Sequence, residues 1–303
     1  MNTNNGHAPP PRVVALILNW NGRSDTLACL RSLQQQTYPA LIPLVVDNGS
    51  QDGSAAAICA DFPAVHLIET GANLGFCAGN NVGMTWALAQ GADFVLLLNN
   101  DTWFDPAMTQ ELVAEAGRDP QIGLAGPKIY QAKPPTVLWS AGGRVTFWGN
   151  VTAMRGFGQA DRGQYDSAAD VDYLPGCGIL ARRQLLETVG LLDPAYFAYY
   201  EDADWAMRAR RAGWIVRYVP SARMWHKGGA STGGFYNPRE KYLSGVNAVR
   251  FMRRYAHAGQ WVLYLISLAA GIPWLIIRES ARGRSAAVRA KIRGLIDGFR
   301  YKS

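Results

Sequence analysis

Cysteine and charge are scarce in this chain, and an apolar leader is missing. The four cysteines (Cys29, Cys59, Cys77 and Cys177) are scattered through 303 residues. Their spacing suits neither a metal cluster nor a disulfide framework, which points to reduced cytosolic thiols. The opening MNTNNGHAPPPR lacks the apolar core of a signal peptide. It is expected to be a disordered lead over residues 1–11, with the catalytic part staying in the cytoplasm. Only 17% of residues are charged, against 49% hydrophobic, so a globular protein with ample core material is expected. A broadly basic body is absent too. The net charge is +7, yet eight basic residues face only two acidic ones from Arg278 to the C-terminus, leaving the rest nearly neutral. Nucleic-acid binders carry basic charge on the folded body, so a nucleic-acid partner is not expected.

What is present is an alternation of strand and helix patterns. VVALILNW (13–20), IPLVVDNGS (42–50), VHLIET (65–70) and FVLLLNND (94–101) read as strands, the first a continuous apolar run suited to burial on both faces. Helical patterns follow each of the first three, the third near 79–90. Such alternation implies a mainly parallel sheet flanked by helices, an α/β architecture. Ligands bind these sheets at the carboxyl ends of the strands. That rule gathers Asn19, Asn21, Asp47, Asn48, Asn73 and the triplet 99–101 along one rim, a candidate ligand crevice. Further on, a hairpin is expected within 136–150. VDYLPGCGILARRQLLETVG reads as a strand, a glycine turn and a short helix. FAYYEDADWAMRARRAG opens acidic and ends basic, an order that suits the helix dipole. WIVRYVP is a last strand, and ARMWHKGGAST runs into a glycine-rich loop.

Three places in this pattern carry chemistry. Asp101 offers the carboxylate that a hard divalent cation wants beside substrate phosphates; the plainer reading is a helix N-cap, a task that Asp105 before Pro106 suits better. Asp47, before Asn48 and Gly49, is either a site residue or a turn former. Glu201 and Asp202 offer a general base, or simply an acidic first helical turn. Asp204 reads as an i,i+4 partner of Arg208, worth only tenths of a kcal/mol, whereas the aromatic setting of Asp202 suggests a partly buried carboxylate with a function. His226 offers an imidazole to a metal, or is a structural histidine. Lys227 with the GGAST segment is a candidate closure over a diphosphate.

The order of these motifs is recognisable. ILNWNG, VVDNGSQDGS, GANLGFCAGNN, LLLNNDT, LPGCGILARR, GLLDPAYFAYYEDADWAMRARRAG and VPSARMWHKGGAS cover roughly residues 13–232. The chain thereby resembles the family 2 glycosyltransferases, in particular the rhamnosyltransferase-like branch that builds bacterial surface polysaccharides. The resemblance implies a GT-A fold, an inverting mechanism, and a nucleotide-diphospho-sugar donor with Mg²⁺ or Mn²⁺. It assigns Asn19, Asn21, Asp47, Asn73 and Gly75 to the nucleotide pocket. The acidic metal motif falls on Asn99, Asn100 and Asp101; with Asn in its first place, Asp101 carries the metal contact and the two asparagines become donor contacts. Asp202 takes the catalytic-base position beside Glu201, and His226 completes the metal shell. Gly176 and Cys177, with Trp205, fall at the sugar and acceptor pocket. Rhamnose from dTDP-rhamnose is the leading donor; hexosyl or N-acetylhexosaminyl transfer, and a catalytically silent nucleotide-sugar-binding scaffold, are the alternatives. A sugar-phosphate nucleotidyltransferase is disfavoured because its early glycine- and arginine-rich signature is missing.

The tail divides differently. Residues 12–255 are expected to form the catalytic domain and 256–303 a pair of membrane-associating helices. WVLYLISLAAGIPWLII (261–277) is short for a spanning helix and contains Gly271 and Pro273. After it, Val288, Ile292, Leu295, Ile296 and Phe299 share one helical face among arginines and lysines, the pattern of a membrane-surface anchor. A lipid-linked glycan acceptor at the cytoplasmic face of the inner membrane is the partner this implies.

Overall fold

Val13, Val14, Ala15, Leu16 and Ile17 are all fully buried, as a strand sandwiched between helices requires. They form β1 (Val13–Asn19) at the centre of the molecule. The computed structural model describes residues 9–228 and 237–300. Most of the expected lead, and the GGAST segment after Gly228, lie outside the described residues.

The next elements alternate as the sequence predicts: α1 (Arg23–Leu33), β2 (Leu41–Asp47), α2 (Ser54–Asp61), β3 (His66–Glu69), α3 (Gly75–Ala89) and β4 (Phe94–Asn99). Helix α3 begins at Gly75 rather than near 79. A short β5 (Thr102–Phe104), α4 (Met108–Arg118) and the long β6 (Ile122–Gln131) follow. Next come β7 (Leu138–Ser140), β8 (Gly143–Val145), β9 (Thr152–Met154) and β10 (Ala169–Asp170). The hairpin therefore lies further along than the sequence suggested. Strand β7 joins β6 in the main sheet, and β8 pairs with β9 instead. The chain continues through β11 (Gly178–Arg182), α5 (Arg183–Val189), α6 (Glu201–Arg211), β12 (Ile215–His226), α7 (Pro238–Tyr255), α8 (Ala258–Ser280) and α9 (Ser285–Arg300).

In the main sheet the order is β10-β12-β6-β11-β4-β1-β2-β3. Strands β4, β1, β2 and β3 run parallel, so their carboxyl ends share one rim. Strand β11 runs antiparallel to β4, with Gly178 opposite Leu98. The strand that leaves the rim thus brings Gly176 and Cys177 to the place where β4 arrives. At the other side, β12 pairs antiparallel with β5 and sets His226 opposite Thr102, next to Asp101.

The C-terminal helices differ from expectation in one respect. Helix α9 lies along α7, and the approach is so close that a Cβ on Gly294 would stand 2.1 Å from the Tyr242 carbonyl oxygen. Val288 and Leu295 are buried, while Ile296 and Phe299 remain exposed. The face expected to lie on a membrane is therefore partly spent on the protein itself. Helix α8 has 23 residues, roughly 35 Å at 1.5 Å per residue. It is the one helix among the described residues long and apolar enough to cross a bilayer, and only 6% of its most apolar window is buried.

Candidate active site

A cavity of about 700 Å³ opens at the rim where β1, β4 and β11 meet. Asn73, Gly75, Asn99, Asn100, Asp101, Gly176, Cys177, Glu201, Asp202 and His226 all line it, so residues from five motifs converge on one space.

Asn19 and Asp47 do not line the cavity. Both are buried, and their polar atoms are spent on one another: Asn19 Nδ2 donates to Asp47 Oδ1 at 2.7 Å, and its Oδ1 accepts from Thr26 Oγ1 at 2.7 Å and from Asn100 Nδ2 at 3.2 Å. Asp47 Oδ2 accepts the Ser50 N–H at 2.9 Å. These side chains tie the tips of β1, β2 and β4 together beneath the rim. Asn21 faces a neighbouring hollow bounded by Arg23, Asp25 and Asp52. Trp205, expected at the sugar pocket, is fully buried in the core and donates its indole N–H to the Gly190 carbonyl at 2.9 Å. Its large ring occupies the inner side of α6, whereas the cavity faces the helix's first turn.

At one part of the cavity wall His226 Nε2 lies 3.0 Å from Asp101 Oδ1, with Asn99 Nδ2 3.5 Å from the same ring nitrogen. The carboxylate and imidazole are both nearly enclosed. Burial works against a charged ring, but Cys177 and Asp101 outweigh it and push His226 up to about 10. The pair thus favours positive charge between its members. His226 Nδ1 has no hydrogen-bond partner among the described residues.

At another part of the wall stand the acids of α6. Burial raises Glu201 well above the usual carboxylate range, and the neighbouring Asp202 charge adds to this. Burial also raises Asp202, to about 6, although the N–H groups of Ala203 and Gly176 oppose the shift. Those bonds, 2.7 Å to Asp202 Oδ1 and 3.1 Å to Oδ2, fix the carboxylate against the Gly176 turn. Glu201 Oε2 is buried with no hydrogen-bond partner among the described residues. Such an arrangement keeps a proton on one member of the pair and leaves the other poised as a base.

The backbone that presents these acids is strained. Phe197, Tyr199 and Tyr200 have φ of 58°, 70° and 71°, left-handed values that bulky residues rarely adopt. Asn247, buried on α7, offsets this by donating to the carbonyls of Tyr196, Ala198 and Tyr199 at 2.8–3.0 Å. Gly75 is required beneath: a Cβ there would meet the Phe197 ring at 2.5 Å. Sequence reasoning missed Asn247 because nothing in PREKYLSGVNAVRFMRRY distinguishes one polar residue on an amphipathic helix. It also missed Trp20, Phe76, Trp139 and Phe197 on the cavity wall, and Arg239 at 5.3 Å from the Phe197 ring. Asp204 was underrated. It is fully buried, accepts from Arg208 at 2.8 Å and from Tyr255 at 2.7 Å, and meets Arg254 at 3.0 Å. It therefore fastens α6 to α7 as well as bonding within its own helix.

A model of the family described as "Glycosyltransferase like family 2" matches residues 10–243. The chain belongs to the family 2 glycosyltransferases. It is 29% identical over 281 residues to the N-acetylglucosaminyl-diphospho-decaprenol L-rhamnosyltransferase of Mycobacterium tuberculosis, covering 87% of this chain and 89% of that protein. It is 23% identical over 215 residues to a dTDP-rhamnosyl transferase of Shigella flexneri, covering 71% and 68%. A mannosyltransferase from Pyrobaculum calidifontis, solved with GDP-Man and Mn²⁺, superposes with a TM-score of 0.62 at 15% identity over 95% of this chain and 87% of its own. The glycosyltransferase accordingly has the GT-A fold, with its cavity at the rim where that architecture binds ligands.

Proposed function

We propose that this glycosyltransferase moves L-rhamnose from dTDP-rhamnose to a hydroxyl of a lipid-linked glycan, with inversion, at the cytoplasmic face of the membrane. The observation that carries this reading is the sharing of one cavity by two chemically distinct ends, Asp101 with His226 and Asp202 with Glu201. The mycobacterial relative, alike over most of its length, supports the rhamnosyl donor and the lipid-linked acceptor.

Asp101 and His226 suit a divalent cation: a hard carboxylate oxygen and an imidazole nitrogen converge, and a bound cation would replace the proton between them. These two residues would hold the cation, and donor phosphates and water would supply its other ligands. When bound, Mg²⁺ or Mn²⁺ neutralises the charge that builds on the departing diphosphate. Asn99 borders the same place and positions the donor, while Asn100, whose amide donates to Asn19 and Thr26, keeps that wall in register.

Asp202 takes the proton from the acceptor hydroxyl as the new bond to the anomeric carbon forms. The bond from that carbon to the diphosphate oxygen breaks on the opposite face, and the nucleoside diphosphate leaves with the electron pair. One base is sufficient, and no protein nucleophile is required. Glu201, held protonated beside it, keeps a second charge out of the cavity, and burial alone raises Asp202. A donor panel with purified enzyme, read by product mass and by the anomeric configuration of the product, tests the assignment. A rhamnosylated product of inverted configuration is expected; a hexosylated product, or donor binding with no transfer, would overturn the sugar or the activity respectively.

A further inference from the structure

Between the cavity and the apolar helix stands the β8–β9 hairpin, for which the proposed transfer reaction supplies no role. Its tip carries Trp148, 61% exposed, and its base carries Met154, 37% exposed and lining the cavity. Phe157, 50% exposed, continues the surface. It packs edge-on against Trp139 at 5.6 Å, and Trp139 packs likewise against His226 at 4.7 Å. Trp148, Met154 and Phe157 thus expose three large apolar side chains within ten residues beside the cavity.

The tip is held in place from several sides. Gly149 N–H donates to Ser267 Oγ on α8 at 2.9 Å. Lys291 Nζ of α9 donates to Asn150 Oδ1 at 3.3 Å, and Tyr200, next to the acids, donates its hydroxyl to the Asn150 carbonyl. Phe147 and Val151 adopt φ of 58° and 66°, and such values persist only where the surroundings enforce them. Thus the tip touches the helix whose apolar face (Val262, Leu263, Ile266 and Ile277) is open, and the base touches the reaction space.

We propose that the hairpin is the track along which the hydrocarbon chain of the acceptor passes from the bilayer to the cavity. This rests on the lipid-linked acceptor read above. Trp148 receives the chain beside α8, and Met154 and Phe157 continue the path toward the acids. Charge complements the assignment. Arg239 lines the cavity, and Lys241 Nζ stands 3.0 Å from Glu240 Oε1, which lines it too. Cationic groups therefore stand at the rim, where the end of the chain that bears phosphate arrives.

The test compares two acceptors with the same glycosyl diphosphate head, one on a long isoprenyl chain and one on a methyl group, with full-length enzyme in mixed micelles. The wild type is expected to prefer the long-chain acceptor at least about tenfold in kcat/KM. Trp148→Ser should shrink that ratio at least about fivefold, and Trp148→Phe should restore it. In vesicles, a photoreactive group on the first isoprenyl unit should label residues 143–157. An unchanged ratio in Trp148→Ser, or labelling confined to α8, would overturn the track while leaving a lipid-linked acceptor intact. Equal use of both acceptors by the wild type would overturn the lipid-linked reading itself, and the track with it.

Discussion

His226 Nε2 lies 3.0 Å from Asp101 Oδ1, brought there by the pairing of β12 with β5. If this pair holds the cation, His226→Ala should weaken Mn²⁺ binding about 10–100-fold, the range seen when the support of a metal site is cut. Calorimetric titration of Mn²⁺ in the presence of donor measures it directly. Unchanged Mn²⁺ affinity would remove His226 from the shell.

The acids give a pH dependence. Asp202 works as a base only when ionised, and its ionisation is pushed up to about 6 by burial. Activity should therefore be full above this value and lost as pH falls through it. Below pH 6, kcat/KM should drop about tenfold per unit. A profile flat down to pH 4.5 would show that no buried carboxylate acts as the base.

Asn247 is a positioning residue, because its amide reaches three carbonyls of the strained approach to α6. Asn247→Ala removes the amide donor that these three carbonyls share and should cost about 1–3 kcal/mol of stability. More tellingly, kcat should fall while the KM for donor holds, since the acids lose their register and the nucleotide frame does not. A stability loss with unchanged kcat would reduce Asn247 to a packing role.

Membrane attachment is best tested without truncation. Removal of everything after residue 256 would strip α9 from α7 and expose the face that Val288 and Leu295 cover. Leu263→Ser, Ile266→Ser and Ile277→Ser together alter only exposed side chains of α8. The triple variant should release the enzyme from anionic vesicles in flotation assays while leaving its melting temperature within a few degrees. Undiminished flotation would assign attachment elsewhere.

Much of this architecture was legible in the residues. The apolar runs of β1 and β4, ending in Asn and Asp, announced parallel strands with a polar rim, because burial on both faces leaves no alternation to disguise them. Asp101, Asp202, Gly176 and His226 could be gathered through the order of motifs. Their shared cavity could not, since it depends on β11 running backwards beside β4 and on β12 finding β5. Burial was the quantity least visible in sequence. Trp205 looked like a pocket aromatic and proved to be core. Asp204 looked like a surface pair and proved to be a buried tie between α6 and α7. The amphipathic pattern of α9 gave its face correctly, but not the fact that α7 covers part of it.

If Asp202 is the base, an amide in its place must abolish transfer without disturbing the donor. Rhamnosyl transfer by Asp202→Asn, measured beside donor binding by the same preparation, tests it most directly. The amide keeps the shape and one of the two hydrogen bonds from Ala203 and Gly176, but cannot take the proton. Transfer should fall about a thousandfold while dTDP-rhamnose binds within about threefold of wild type. Turnover within tenfold of wild type would contradict the mechanism.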